Sequence, residues 1–339
     1  MSLPAPVPGL QPGDGPLIDR FAHTHTYLRV SVTDRCNFRC TYCMPAEGLQ
    51  WLDREDLLTF EEITRTARLL VERYGVESIR LTGGEPTIRA DLPGLVQMLS
   101  ELPVDLSMTT NGATLRRMAP GLAAAGLTRI NVSLDSLRAD RFAEMTLRDD
   151  LDRVLDGIDA ALEAGLDPVK INVVVMRGVN DDELVDFARF GRDRSVEVRF
   201  IEFMPLDADQ AWSDDAVVGL EEIVARIGET FPLEPVPRTS APASRFRYAD
   251  GGGRIGVVAS VTRKFCDSCD RIRLTADGRF RNCLFAVDEF NLQSLLRSGA
   301  SDDEVGELLE GAVRAKWAGH GIGRVEFIRP ARSMSQIGG

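Results

Sequence analysis

Short segments in which apolar and polar residues alternate recur between residues 27 and 202 of this 339-residue chain, each followed by a longer amphipathic stretch. That order leaves few folds open. Strands are expected over 27–32, 77–81, 106–110, 129–135, 169–176 and 196–202, with helices over 60–74, 92–101, 114–125, 151–164 and 182–193. Parallel strands need a crossover connection, so strand and helix units in series predict an α/β fold built as a partial (βα)6 barrel. Past about residue 230 the pattern changes to proline-rich connectors and hairpin-like strands. Glycines stand at Gly251 to Gly253 and at Gly278, and two helices are expected between 291 and 317. A smaller C-terminal α+β domain is expected over 231–339, after a barrel over 21–230. Residues 1–16 hold five prolines and three glycines without apolar periodicity, which predicts a disordered leader over 1–20.

The alternation within the strands says more than their number. Leu28, Val30 and Val32 alternate with Tyr27, Arg29 and Ser31, Ile79 and Leu81 with Arg80 and Thr82, and Ile130, Val132 and Leu134 with Asn131, Ser133 and Asp135. Ile171, Val173 and Val175 alternate in the same way with Lys170, Asn172 and Val174. A barrel lumen filled by so many polar groups would be costly if dry, so the pattern predicts an open lumen that takes a polar ligand. A sheet with one solvated face is the other arrangement that fits. Lys plus Arg is 40 against Asp plus Glu 52, a net charge of −12 that repels polyanions and excludes wholesale nucleic-acid coating. An anionic ligand therefore needs a local basic pocket. No run of eighteen apolar residues and no signal-peptide pattern is present, so no membrane partner and a cytoplasmic location are expected. Six cysteines in that compartment point to metal or catalysis rather than disulfides.

Cys36, Cys40 and Cys43 form a C-x3-C-x2-C run directly after the first strand, where barrel enzymes place their active sites. Three thiolates are one short of a closed tetrahedral zinc site, and they suit a four-iron, four-sulfur cluster with one iron left open. Cys266, Cys269 and Cys283 form a second set, with thirteen residues between the last two. Structural zinc completed by a distant histidine such as His320 is the alternative there.

The run Cys36-Asn37-Phe38-Arg39-Cys40-Thr41-Tyr42-Cys43, with Gly83-Gly84-Glu85-Pro86 after the second strand, resembles the signature of radical S-adenosylmethionine (radical SAM) enzymes. Phe265-Cys266-Asp267-Ser268-Cys269-Asp270-Arg271-Ile272-Arg273-Leu274, a 275–280 hairpin and Asn282-Cys283-Leu284-Phe285 resemble the C-terminal region of one family among them, the GTP 3′,8-cyclases of molybdenum cofactor biosynthesis. The closing Gly338-Gly339 is similar to the double-glycine tail of that family. The likeness runs from about Thr26 to the last residue.

The resemblance implies two 4Fe-4S clusters, one on each cysteine triplet, and S-adenosylmethionine as cofactor, contacted by the Tyr42 backbone, Gly84, Ser133 and Met204. It implies GTP as substrate, contacted by Arg29, Arg80, Thr109, Lys170, Arg271, Ile272 and Arg273. The residues nearest the chemistry would be Arg29, Arg271, Arg273 and the tail glycines Gly338 and Gly339. In that family the first cluster cleaves S-adenosylmethionine to a 5′-deoxyadenosyl radical, which takes hydrogen from C3′ of the ribose. The C3′ radical then adds to C8 of guanine. Five basic residues facing one lumen would meet the need that the net charge raises. Asp135 and Glu202 are expected to face the lumen as well, where they would orient these cations. A downstream cyclic pyranopterin monophosphate synthase, an electron donor that the sequence leaves unspecified and a homodimer complete the implied partners. A peptide-modifying radical SAM enzyme and a non-catalytic zinc scaffold are the competing readings; the second leaves GGEP and the polar strand faces unexplained.

Overall fold

A computed structural model describes residues 15–45, 47–207, 212–238, 241–322 and 327–338. Six strands and their helices follow one another as β1 (Tyr27–Ser31), α1 (Phe60–Glu72), β2 (Ser78–Thr82), α2 (Leu92–Ser100), β3 (Asp105–Thr110), α3 (Leu115–Ala124), β4 (Arg129–Ser133), α4 (Ala139–Thr146), α5 (Leu151–Glu163), β5 (Val169–Val175), α6 (Leu184–Asp193), β6 (Glu197–Glu202) and α7 (Leu220–Gly228). The remainder comprises β7 (Leu233–Pro235), β8 (Ser244–Tyr248), β9 (Arg254–Val258), β10 (Arg271–Leu274), β11 (Arg279–Arg281), β12 (Phe290–Asn291), α8 (Leu292–Ser298), α9 (Asp302–Arg314) and α10 (Met334–Ile337).

Local chemistry sets the helix ends. Thr59 caps α1 through a reciprocal pair, its hydroxyl accepting from the Glu62 N–H at 3.2 Å while its own N–H donates to the Glu62 carboxylate at 2.8 Å. Ser301 and Glu304 do the same for α9. Each cap is worth about 1 kcal/mol. Behind the cap, Ile63, Ala67 and Leu70 at one-turn spacing bury the inner stripe of α1.

Strands β1 to β6 lie side by side in sequence order, all parallel. One face carries Leu28, Val30, Ile79, Leu81, Ile130, Val132, Ile171 and Val198, all fully buried in a single core under the helices. The opposite face carries the polar residues, so the alternation reads through to the structure. Among the described residues three helices lie outside the expected set, α4, α7 and the single turn α10. The short α4 buries little beyond Phe142 and Met145, whereas α7 buries Leu220, Ile223 and Ile227 at helical spacing and supplies the sixth crossover.

Three expectations change. The C-terminal segments form no separate sheet: β9 adds parallel to β6 and β10 adds parallel to β1, extending both edges of one twelve-stranded sheet. Residues 15–20 belong to the fold rather than to a leader, because Leu17 is 2% exposed within the core and buried Asp19 accepts N–H groups of Phe21 and His23 at 2.9 and 3.0 Å; residues 1–14 lie outside the described residues. Glu202 does not face the lumen. Its carboxylate accepts from the N–H groups of Leu220, Val261 and Thr262 and from the Thr262 hydroxyl, which pins the loop after β9 and the start of α7. The residue shares the strand face of Val198 and Phe200, opposite Arg199 and Ile201, and four donors satisfy its buried carboxylate there.

Leu17→Ala should lower the unfolding free energy by about 2–5 kcal/mol, the cost of emptying a packed core position. Urea unfolding of the full chain measures it, and a loss below about 0.5 kcal/mol would show the segment unpacked.

Candidate active site

The polar face of the sheet encloses a cavity of about 570 Å³ that reaches from the loops after β1 and β2 to the C-terminal segments. All six cysteines line it. So do Arg29, Arg80, Thr109, Lys170, Arg271 and Arg273, and Tyr42, Gly84, Ser133 and Met204. Ile272 is the exception: its side chain points away from the cavity into the core, fully buried, as alternation between two inward arginines requires.

The first cysteine loop is held by backbone pairing with the glycine-rich loop. The Gly84 N–H donates to the Thr33 carbonyl at 2.7 Å and the Glu85 N–H to the Arg35 carbonyl at 2.8 Å. A Cβ on Gly83 would stand 2.6 Å from the Thr33 carbonyl oxygen, so the two loops can run this close only without side chains there. Glu85 then ties the arrangement to β3. Its buried carboxylate accepts from the hydroxyls of Thr87 and Thr110 at 2.5 and 2.6 Å and from the Asn111 N–H at 2.6 Å. The Asn111 amide in turn donates to Asn37 at 2.8 Å and lies 3.9 Å from the Cys36 sulfur. On the far side, the end of α4 braces the loop, its Met145 and Thr146 carbonyls accepting from Thr41 and Arg39 at 2.9 Å each.

The thiols are strongly perturbed. Burial and the neighbouring Glu85 push Cys36 up to about 11. Burial and Cys36 push Cys43 up to about 12, and Cys40 is raised by burial and Asp135. Across the cavity, burial raises Cys266 and Cys283. Cys269 goes the other way, because Arg271 and Lys316 outweigh its burial. Within each triplet the thiols influence one another electrostatically, yet among the described residues no three His, Cys, Asp or Glu side chains converge on one metal ion. Three cysteines on one loop are one ligand short of a closed tetrahedral zinc site and suit a four-iron cluster with one iron left open. His320 lines the same cavity, its ring tilted by 46° against Phe285 with centroids 4.9 Å apart and its Nδ1 accepting from the Ile322 N–H at 3.3 Å.

The basic groups are short of partners. The Nε atoms of Arg29 and Arg80 and the Nη2 atom of Arg271 are buried with no hydrogen-bond partner among the described residues. Burial, together with nearby cations, lowers Arg29 to about 10, and burial with Arg199 lowers Lys170 to about 7. Such a cluster is stabilised by an anion. Arg273 does have a partner, donating to the Gly338 carbonyl. Gly338 sits at φ +85° where a Cβ would meet Ser31 at 2.9 Å and Thr82 at 3.0 Å, so the tail packs closely against the paired ends of β1 and β2. Gly339 lies outside the described residues.

A model of the Radical SAM superfamily matches residues 30–191, and a model of Molybdenum Cofactor Synthesis C matches residues 196–322. Relatives named GTP 3′,8-cyclase include one from Streptomyces coelicolor, 49% identical over 95% of this chain and 96% of its own, and one from Rhodopirellula baltica, 48% identical over 95% and 92%. The chain belongs to the GTP 3′,8-cyclase family. Streptococcus suis SuiB bound to S-adenosylmethionine shares the fold at a TM-score of 0.62 and 14% identity, covering 84% of this chain and 68% of that one. As a radical SAM enzyme of this family the chain uses two 4Fe-4S clusters and S-adenosylmethionine. No helix among the described residues is long and apolar enough to cross a membrane.

Several lining residues were not singled out from the sequence. Arg199 had a readable signal, alternating with Val198 and Phe200 on β6. Arg129 opens β4, and Arg245 arrives from the β8 hairpin, for which strand pairing across 40 residues and more gives no local signature. Asp135 faces the lumen as expected, but it orients Tyr42 rather than a cation, accepting its hydroxyl at 2.6 Å and the Val174 N–H at 2.8 Å.

Anaerobic reconstitution should load about eight irons per chain, and Cys283→Ala about four, read by iron analysis and the brown sulfur-to-iron absorption. Zinc in place of iron at the second triplet would contradict the site as described.

Proposed function

We propose that the chain converts GTP to 3′,8-cyclo-7,8-dihydroguanosine 5′-triphosphate, the first step of molybdenum cofactor biosynthesis. The observation that carries this is a single cavity with a cysteine triplet at each side and unneutralised cations between them. When bound, the first cluster and S-adenosylmethionine supply the 5′-deoxyadenosyl radical that removes hydrogen from C3′ of the ribose. The C3′ to C8 bond then forms, and one electron and one proton complete a product isomeric with GTP.

The protein's part is binding, orientation and exclusion of water. Cys36, Cys40 and Cys43 hold the first cluster, and Tyr42, Gly84, Ser133 and Met204 line the S-adenosylmethionine side. Cys266, Cys269 and Cys283 hold the second cluster, which receives the guanine. Thr109, the backbone at Ile272 and the cations Arg29, Arg80, Lys170, Arg271 and Arg273 take the nucleotide and its phosphates, as forked and point-charge donors do well. Gly338 and Gly339 place the tail against the reacting ribose, with Arg273 fixing the Gly338 carbonyl. Delivery of the product to cyclic pyranopterin monophosphate synthase, action as a homodimer and a cytoplasmic location complete the reading.

Anaerobic incubation with GTP, S-adenosylmethionine and dithionite should yield 5′-deoxyadenosine together with a GTP isomer; deoxyadenosine formed indifferently to GTP would refute the substrate. Cys36→Ala should abolish cleavage, whereas Cys283→Ala should keep cleavage and lose most cyclised product. GTP affinity should fall as pH rises above about 7. Lys170 sits near 7 in the free protein, and a bound polyphosphate favours its charged form, so binding takes up a proton above that pH. Calorimetry at pH 8 in buffers of different ionisation enthalpy measures the uptake, and Lys170→Ala should remove it while weakening GTP by roughly 10- to 100-fold.

A further inference from the structure

The cations named above leave part of the basic surface unused. Arg129 and Arg245 line the same cavity on the side of β4, β6 and β8. Arg129 is the first residue of its strand, at the N-terminal edge of the parallel sheet, whereas the first cysteine loop follows the C-terminal end of β1. In strand register Arg29, Arg80, Ser107 and Arg129 succeed one another across β1 to β4, so Arg129 continues a row of guanidinium groups away from the second triplet. Arg245 reaches the row from outside, since β8 pairs with β9 and β9 with β6, setting Arg245 beside Gly256 and Gly256 beside Arg199.

Neither residue is satisfied by the protein. Arg129 pairs with Asp105, yet its Nε is buried without a partner among the described residues. Arg245 has only a loose 3.8 Å approach to Glu197 and a buried Nε without a partner. Glu197 cannot serve it better, because its two oxygens are taken by Arg199 and Arg254 at 2.7 Å each. Arg80, Arg199 and Arg245 all act on the charge of Arg129, so these groups are close enough to share one ligand and repel one another without it. Half-buried guanidinium groups whose inner Nε atoms lack acceptors, converging at one end of the cavity, suit the most highly charged end of the substrate.

We infer that Arg129 and Arg245 form the seat of the terminal phosphate and make the enzyme select nucleoside triphosphate over monophosphate. This deepens the GTP reading and rests on it. Arg245 comes from the segment that extends the sheet beyond β6, so the seat exists only once both parts of the chain have assembled.

The test is calorimetric binding of GTP and GMP to the anaerobically reconstituted full chain, for wild type, Arg129→Gln, Arg245→Gln and Arg245→Lys. Each glutamine variant should weaken GTP at least about tenfold and leave GMP within about twofold, while Arg245→Lys restores part of the loss. Inorganic tripolyphosphate should displace GTP from wild type and do so at least about tenfold less well on the variants. A wild type that prefers GTP, with variants that keep the preference or lose GTP and GMP equally, overturns this assignment and leaves the substrate reading intact. A wild type with no preference for GTP overturns both. Should Arg129→Gln fail to fold, Arg245→Gln on the partly exposed hairpin decides the matter alone.

Discussion

Concentrated positive charge inside a parallel sheet is the constraint around which this molecule is organised. The outer strand face buries aliphatic side chains completely, which provides the stability of the sheet. The inner face gives up that stabilisation and gathers arginines in a space where each raises the cost of ionising the next. Among the described residues three carboxylates answer them directly, Asp105 at Arg129, Glu197 at Arg199 and Asp270 at Arg271. A protein with an acidic surface has thus placed its unpaired positive charge where only a ligand that fits the cavity can reach it.

The C-terminal segments close that space rather than stand beside it. β10 continues the sheet beyond β1, carrying Arg271 and Arg273 inward. β9 continues it beyond β6, and the tail helix α10 returns to the first cysteine loop, where the Ser335 N–H acts on the Cys43 sulfur. The final turn then sets Gly338 against the paired ends of β1 and β2. Cofactor loop, substrate face and tail are therefore coupled through contacts that a lone barrel could not make.

Much of this was legible in the sequence because it is local. Period-two alternation assigned Arg29, Arg80 and Lys170 to the lumen and Leu28, Ile79 and Ile171 to the core, and cysteine spacing marked both triplets. The errors arise where distant residues decide the outcome. Leu17 looks like part of a proline-rich leader until the core that receives it is formed. Glu202, expected in the lumen, shares the strand face of Val198 and Phe200 opposite Arg199, and three N–H groups from segments far along the chain claim it. Ile272 sits between two ligand-facing arginines and, by the same strand period, must turn away from them. Glu85, read as part of a loop motif, is the acceptor on which the approach of three strand-end loops depends.

The two cysteine triplets also stand in opposite electrostatic surroundings. After burial, the groups that most oppose charge on the first set are carboxylates, Glu85 near Cys36 and Asp135 near Cys40. At the second set cations work against burial, Arg271 and Lys316 at Cys269 and, behind the Phe285 N–H, Lys316 and Arg273 at Cys283. Since net charge and hydrogen bonding around the sulfurs tune an iron-sulfur centre, the cations that fill the lumen also give the two triplets different surroundings, carboxylates beside the first and cations beside the second.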